Sequence, residues 1–204
     1  MPGRAAAAVV ATLLLAGCTP GEGSAGPSSG PTSAWRGTAI SNPYPLPEQR
    51  FSDTAGDPVV PARDAAEDVT LVFFGYTHCP DICNVVLANI ASALRGSPAA
   101  VRDATRLLFV TTDPARDTGQ VVREYLDRFD PAYDGLIAPV GTVEQAASDL
   151  HVSYERPDGS TGGYRVDHGT YTTAFVDGEA RLVWSADVAV ADLRADLQRL
   201  ARLA

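Results

Sequence analysis

The 204-residue sequence contains no lysine. All 16 of its basic residues are arginine, against 25 acidic ones, for a formal net charge of −9. A chain this acidic has little with which to neutralise phosphates, so no nucleic-acid partner is expected. The missing lysine, beside abundant Ala, Arg, Gly and Val, fits a GC-rich coding sequence and says nothing of function. Internal repeats are absent. So is a membrane-spanning apolar run, since AAAAVVATLLLA, residues 5–16, is too short. Cysteine is scarce, with three in the whole chain. What is present is an ordinary globular composition, 45% apolar and 20% charged, long enough for one medium-sized domain and a tail.

The short apolar stretch follows Arg4 and reads as an export signal. It runs into LLAGC, Leu14 to Cys18, where small residues directly precede a cysteine. This resembles the lipobox of bacterial lipoproteins. On that reading residues 1–17 are a signal peptide, and Cys18 is lipidated and anchors the chain on the outer face of the cytoplasmic membrane. The alternative is a plain secretory peptide cut nearby, with Cys18 left free or removed. A stray thiol just outside a membrane would be a liability. Residues 19–34, TPGEGSAGPSSGPTSA, are nearly all Gly, Ser, Pro, Thr and Ala and read as a flexible tether. The expected organisation is therefore 1–17 signal, 18–34 lipidated cysteine and linker, and 35–204 a folded domain. Lipidation would consume Cys18 and leave one pair, Cys79 and Cys83, in an oxidising compartment.

Residues 35–68 are Pro-rich and acidic, with strand-like fragments near Ala39-Ile40 and Val59-Val60. They read as an irregular or hairpin-like N-terminal extension. From Val69 the pattern sharpens. VTLVFFGY is a β-rich apolar run suited to a strand covered on both faces. PDICNVVLANIASAL follows, with Ile82, Val85, Val86, Ile90 and Leu94 at helical spacing. Pro80 suits a first helical residue, and Asp81 places negative charge at the positive end of the helix. RLLFVTT reads as a second buried strand, and residues 119–129 as a helix. GLIAPV reads as a third strand. TVEQAASDLHV reads as a helix in which Thr142 and Gln145 form a capping box. YRVDHGTYTTAFVDGEARLVWS predicts strands meeting at Asp177-Gly178. A last helix through Leu200 is expected to be capped by Asp187. Right-handed crossovers make the first strands parallel, with the late hairpin closing the other edge. The order βαβ then ββα, with cysteines at the first strand-to-helix junction, predicts an α/β, thioredoxin-like domain with a central mixed sheet flanked by helices.

Cysteines at i and i+4 lie on one side of a helix, so a disulfide and a shared metal are both geometrically reasonable. The helix N-terminus favours the thiolate, which is both the nucleophile and the metal-binding form. Two thiolates suit Cu(I), and a third donor would make the site more selective. His168, in VDHGT, is the candidate, because the start of the late hairpin comes near the first helix's N-terminus in a thioredoxin-like sheet. A hydrogen-bonded loop histidine is the plain alternative. His78 adjoins Cys79 but should point away from it, outside the ligand set. His151 ends a helix, where a polar side chain is unremarkable. An inert disulfide is the plain reading of the pair, but so small a loop constrains the unfolded chain little.

FGYTHCPDIC, TTDPARDT and YRVDHGTYTT, in this order, resemble motifs of the Sco/SenC copper-binding assembly proteins, over about residues 48–203. The resemblance implies a membrane-anchored, thioredoxin-like domain holding one copper, as Cu(I) or Cu(II), through Cys79, Cys83 and His168. It implies a role in building the dinuclear copper centre of cytochrome c oxidase subunit II, or of a related copper acceptor. Asp113, Arg116 and Asp117 match the middle motif and are expected to shape the surroundings of the site. Asp167 is expected to orient His168. Asn84 departs from the family, which commonly has proline after the second cysteine. Beside the copper carrier stands a thiol-disulfide oxidoreductase that keeps the acceptor's cysteines reduced. Cys79 and Cys83 would then be its redox-active pair, with Cys79 attacking. A redox or copper sensor is a third reading, disfavoured because no separate signalling segment appears.

Overall fold

The computed structural model describes residues 34–65, 69–155 and 166–204, besides Met1 and Gly3. The rest of the expected signal peptide, Cys18 and tether residues 19–33 lie outside the described residues. Among those residues no helix is long and apolar enough to cross a membrane.

The N-terminal extension forms β1 (Thr38–Ala39), a small ribbon of β2 (Phe51–Ser52) and β3 (Pro58–Val59), and the short α1 (Pro61–Asp64). Then come β4 (Val69–Gly75), α2 (Ile82–Arg95), α3 (Ala99–Asp103), β5 (Thr105–Thr111), α4 (Gly119–Leu126) and β6 (Asp134–Leu136). The chain continues through α5 (Val140–Asp149), β7 (Tyr154–Glu155), β8 (Asp167–His168), β9 (Thr172–Val176), β10 (Glu179–Trp184) and α6 (Val190–Leu200).

Six strands make the main sheet in the order β1-β10-β9-β4-β5-β6. β4, β5 and β6 are parallel, and β9 runs antiparallel to β4. The sheet is thus mixed, with helices on both faces, in a thioredoxin-like fold. Every residue of β4 is buried, as a central strand covered on both sides requires. Alternation divides it between two cores. Leu71 and Phe73 join the core under α2, α4 and α6, while Val72 and Phe74 join the one under α5 and the N-terminal extension. The β9–β10 hairpin turns at Asp177 (φ 52°) and Gly178 (φ 74°). Two consecutive positive φ values are what a tight two-residue hairpin with matching twist needs, and Asp-Gly meets that at low steric cost.

Several local expectations differ from the structure. The late hairpin does not close the sheet, because β1 pairs outside β10 and takes the edge. Thr142 and Gln145 form no capping box. Pro139 stands at the N-cap of α5, so Thr142 already lies inside the helix. Asp187 does not cap α6, whose N-cap is Ala189. Its carboxylate instead accepts from the Ser185 hydroxyl at 2.5 Å. α2 begins at Ile82, two residues after Pro80, with Asp81 at the N-cap.

The start of the domain is clasped by α6. The Asp196 carboxylate, 1% exposed, accepts hydrogen bonds from the amides of Arg36 (3.0 Å) and Gly37 (2.8 Å) and from Trp184 Nε1–H (2.9 Å). Gly37 lies so close to the Trp184 ring that a Cβ there would sit 2.6 Å from it.

Candidate metal centre

β4 delivers the chain to the end of the sheet at Gly75, and the segment 76–81 leads into α2. Cys79 lies in this segment, with its amide donating to the Tyr76 carbonyl at 3.1 Å. Cys83 lies in the first turn of α2 and is fully buried. Its sulfur is seated against the sheet: a Cβ added to Gly75 would stand 3.2 Å from Cys83 Sγ and 2.8 Å from the Phe109 ring. The two cysteines are free thiols. The Cys83 amide points at Cys79 Sγ, 3.4 Å away. The Cys79 thiol is pulled down to about 4, chiefly by hydrogen bonding from the Cys83 thiol. Burial opposes this, while the backbone amides of Cys83 and Asp81 add to it. Cys83 is pushed up, because it is the donor to Cys79 and is buried. The pair thus shares one proton, with the negative charge on Cys79.

His168 arrives from a separate ribbon. β7 and β8 pair antiparallel, with Tyr154 opposite His168, and the Tyr154 hydroxyl donates to the Thr112 carbonyl at 2.8 Å, just beyond β5. The ribbon is thereby pinned to the sheet end that carries the cysteines. His168 Nδ1 lies 3.1 Å from the Gly169 carbonyl. A carbonyl only accepts, so Nδ1 carries the hydrogen and Nε2 presents its lone pair. Nε2 lies 3.7 Å from Cys83 Sγ. The ring is 7% exposed and stands edge-on to Tyr76 (5.8 Å, 86°) and Phe73 (6.3 Å, 77°).

The donor atoms of Cys79, Cys83 and His168 all lie within 4.8 Å of one another. Bonds of about 2.0–2.3 Å, as such donors make to a first-row ion like zinc, put neighbouring ligands in one plane about 3.5–4 Å apart. The observed sulfur-to-nitrogen separation matches that, and two thiolates with one imidazole form a soft donor set. A cleft of about 400 Å³ opens beside the cluster, bounded by Cys79, His168, Tyr76 and Ile82 among others, but not by Cys83.

The middle motif surrounds the site without joining it. Asp117 is fully buried and accepts from the Thr77 amide (3.0 Å), the Thr77 hydroxyl (2.6 Å) and the Thr111 hydroxyl (2.6 Å). Asp113, also fully buried, is gripped by Arg116 Nε, and the Arg116 guanidinium stands over the Tyr76 ring at 5.9 Å. His78 is half exposed and turns from the sulfurs toward Thr77 Oγ1 (3.0 Å) and Asp117 (3.7 Å). The side chain of Asp167 lies outside the described residues. His151 is not at the end of a helix proper: it follows α5 with φ 57°, its ring edge-on to Tyr44 at 5.1 Å. Asn84 accepts a hydrogen bond from the Tyr125 hydroxyl at 3.1 Å. Sequence reasoning overlooked Tyr76, Tyr125 and Tyr154. Tyr76 alone had a signal, since it lies within the cysteine motif.

A dithiol at the mouth of a helix, with an imidazole brought to it from a distant ribbon, defines a thioredoxin-like domain equipped for soft-metal or thiol chemistry. The chain belongs to the SCO1/SenC family, whose model matches residues 42–202. It is similar to the apo Sco1 protein of Thermus thermophilus, at 32% identity and a TM-score of 0.75, over 84% of this chain and 99% of that one. It is also similar to the copper-bound ScoI of Bradyrhizobium japonicum, at 29% identity and a TM-score of 0.64, over 79% and 99%. Protein sco1 of Schizosaccharomyces pombe is 33% identical over 105 residues, 50% of this chain and 40% of that protein. Across the first curated relatives the matched stretch spans from 30% to 55% of their length.

Proposed function

We propose that this protein is a copper carrier that holds one copper through Cys79, Cys83 and His168 and hands it to an acceptor. The acceptor is the dinuclear copper centre of cytochrome c oxidase subunit II or a related site. The observation that carries the reading is the buried triangle of two sulfurs and Nε2, all within 4.8 Å. The lone pair of Nε2 is freed by the Nδ1 hydrogen bond, and the Cys83 thiol favours the thiolate of Cys79, so the donor set suits a soft ion. The copper-bound Bradyrhizobium relative supports the choice of ion. Membership of the Sco family, described as cytochrome c oxidase assembly proteins, supports the acceptor. The lipobox-like LLAGC supports export and a lipid anchor at Cys18, with residues 19–34 as tether and 35–204 as the carrier domain.

The test is anaerobic titration of the reduced protein with Cu(I) and Cu(II), beside Cys79→Ser, Cys83→Ser and His168→Ala. One equivalent bound by the parent, and a weakening of about 100-fold or more in each variant, is the expected result. Undiminished Cu(II) binding by His168→Ala would remove the imidazole from the ligand set and leave a tethered dithiol protein.

One observation favours a second reading, a thiol-disulfide oxidoreductase acting on the acceptor's cysteines. Cys79 is ionised at the cleft while Cys83 waits protonated behind it, the arrangement of an attacking and a resolving thiol. The two roles need the same reduced pair and are compatible.

A further inference from the structure

The loop after β5 reaches the site at two points, and they are different points. Its backbone is a closed turn: the Asp113 carbonyl accepts from the amides of Arg116 (3.1 Å) and Asp117 (3.0 Å). The Thr111 hydroxyl accepts from the Asp113 amide at 3.0 Å. Two neighbouring side chains leave this turn toward consecutive residues of the cysteine segment. Arg116, held by the buried Asp113, lies over Tyr76, and Tyr76 stands edge-on to His168. Asp117 takes both the amide and the hydroxyl of Thr77, two residues before Cys79. Cation–π and edge-to-face contacts are directional and fix ring orientation. Charge-assisted hydrogen bonds to a buried carboxylate fix backbone.

The geometry points to a two-armed positioning device: Arg116, through Tyr76, sets the orientation of His168, while Asp117, through Thr77, sets the placement of Cys79 relative to Cys83. The Arg116 arm rests on the copper reading; the Asp117 arm does not. The arms are separable. The disulfide involves only the two sulfurs, so the Arg116 arm governs the metal and leaves the dithiol couple alone. The Asp117 arm governs both. Arg116→Lys keeps the charge but loses the Nε–H that ties the side chain to Asp113, so it does not restore the arm.

The experiment measures two quantities on the full chain for the parent, Arg116→Ala, Arg116→Lys, Tyr76→Leu, Thr77→Val and Asp117→Asn. One is the Cu(II) electron paramagnetic resonance spectrum with its affinity. The other is the midpoint of the Cys79–Cys83 couple against a glutathione or dithiothreitol buffer. Arg116→Ala, Arg116→Lys and Tyr76→Leu should each alter the Cu(II) hyperfine coupling and weaken Cu(II) binding about 10-fold or more. Their dithiol equilibrium should stay within about twofold of the parent. Thr77→Val and Asp117→Asn should move that equilibrium about 10-fold or more, roughly 30 mV for two electrons. Thr77→Val deletes a single hydroxyl and keeps the arm testable if Asp117→Asn fails to fold. Unchanged Cu(II) spectra in the Arg116 and Tyr76 variants overturn the first arm. An unmoved midpoint in Thr77→Val overturns the second. Variants of both kinds shifting both readouts equally would show a general packing role and overturn the division. A parent that takes up no copper refutes the carrier reading and the first arm with it, a result distinct from unchanged spectra in a parent that binds.

Discussion

Replacing Cys83 with alanine tests the electrostatics of the dithiol, because the hydrogen bond from Cys83 is the largest cause holding Cys79 down to about 4. In the parent, this hydrogen bond should keep Cys79 ionised across the neutral range. An ordinary thiol is only about 0.3% ionised at pH 6 and gains about tenfold per pH unit. Its greater thiolate fraction does not make Cys79 proportionally faster, since nucleophilicity falls with basicity at a Brønsted slope of about 0.4–0.5. The shape of the pH profile is therefore the discriminating readout. Alkylation of Cys79 in the reduced parent by iodoacetamide, located by peptide mass, should be nearly flat between pH 5.5 and 9. In Cys83→Ala the two backbone amides remain as donors, and burial still opposes the charge. The midpoint of the alkylation profile should then rise by about two pH units or more, and the flat region should become a slope. The 240 nm thiolate absorbance should follow the same curve. A Cys83→Ala profile that stays as flat as the parent's would refute the assignment of the shared proton.

The same proton sets the stability of the reduced protein. Cys79 titrates lower when folded than unfolded, so its contribution is fully present above the unfolded value and is lost as pH falls toward 4. Cys83 titrates higher when folded, so its contribution holds below the unfolded value and is lost as pH rises beyond it. Urea unfolding should show the pair contributing most near pH 8.5, and a monotonic trend through that pH would contradict it. Gly75→Ala should cost about 1–3 kcal/mol in urea unfolding and displace Cys83, because the new methyl group meets the Phe109 ring and the sulfur. Asp196→Ala leaves Trp184 Nε1–H buried without its acceptor, while the amides of Arg36 and Gly37 can reach water. The expected loss is about 2–4 kcal/mol, a fall in Tm of roughly 5–15 °C. Asn84→Pro should fold and still take up copper. Its amide is one of the unpaired donors of the first turn of α2, so the cost is the Tyr125 hydrogen bond, about 1–2 kcal/mol by calorimetry.

The sequence made the frame legible because local pattern and global burial agree there. VTLVFFG is uniformly apolar and becomes a strand buried on both faces, and Asp177-Gly178 places two tolerant residues where positive φ is needed. Topology made His168 a candidate beside the cysteines, with a hydrogen-bonded loop histidine as the alternative, and the family resemblance named it a ligand. What topology did not contain was the means: a two-residue ribbon held by the Tyr154 hydroxyl, which shows no periodic signal. Helix starts were misread where two chemistries compete. Thr142 and Gln145 have the spacing of a capping box, yet Pro139 fixes the helix start three residues earlier. Asp196 looks like any polar residue of an amphipathic helix. Its burial is decided by residues 36 and 37, some 160 positions away, which no window on the sequence brings together.

The floor beneath Cys83 has a consequence for traffic. The sulfur is fully buried where Gly75 leaves it room against the sheet, and of the three donors the cleft touches only Cys79 and His168. A group entering by this cleft meets those two side chains first. On the carrier reading, an incoming donor that uses this cleft displaces Cys79 or His168 before it reaches Cys83.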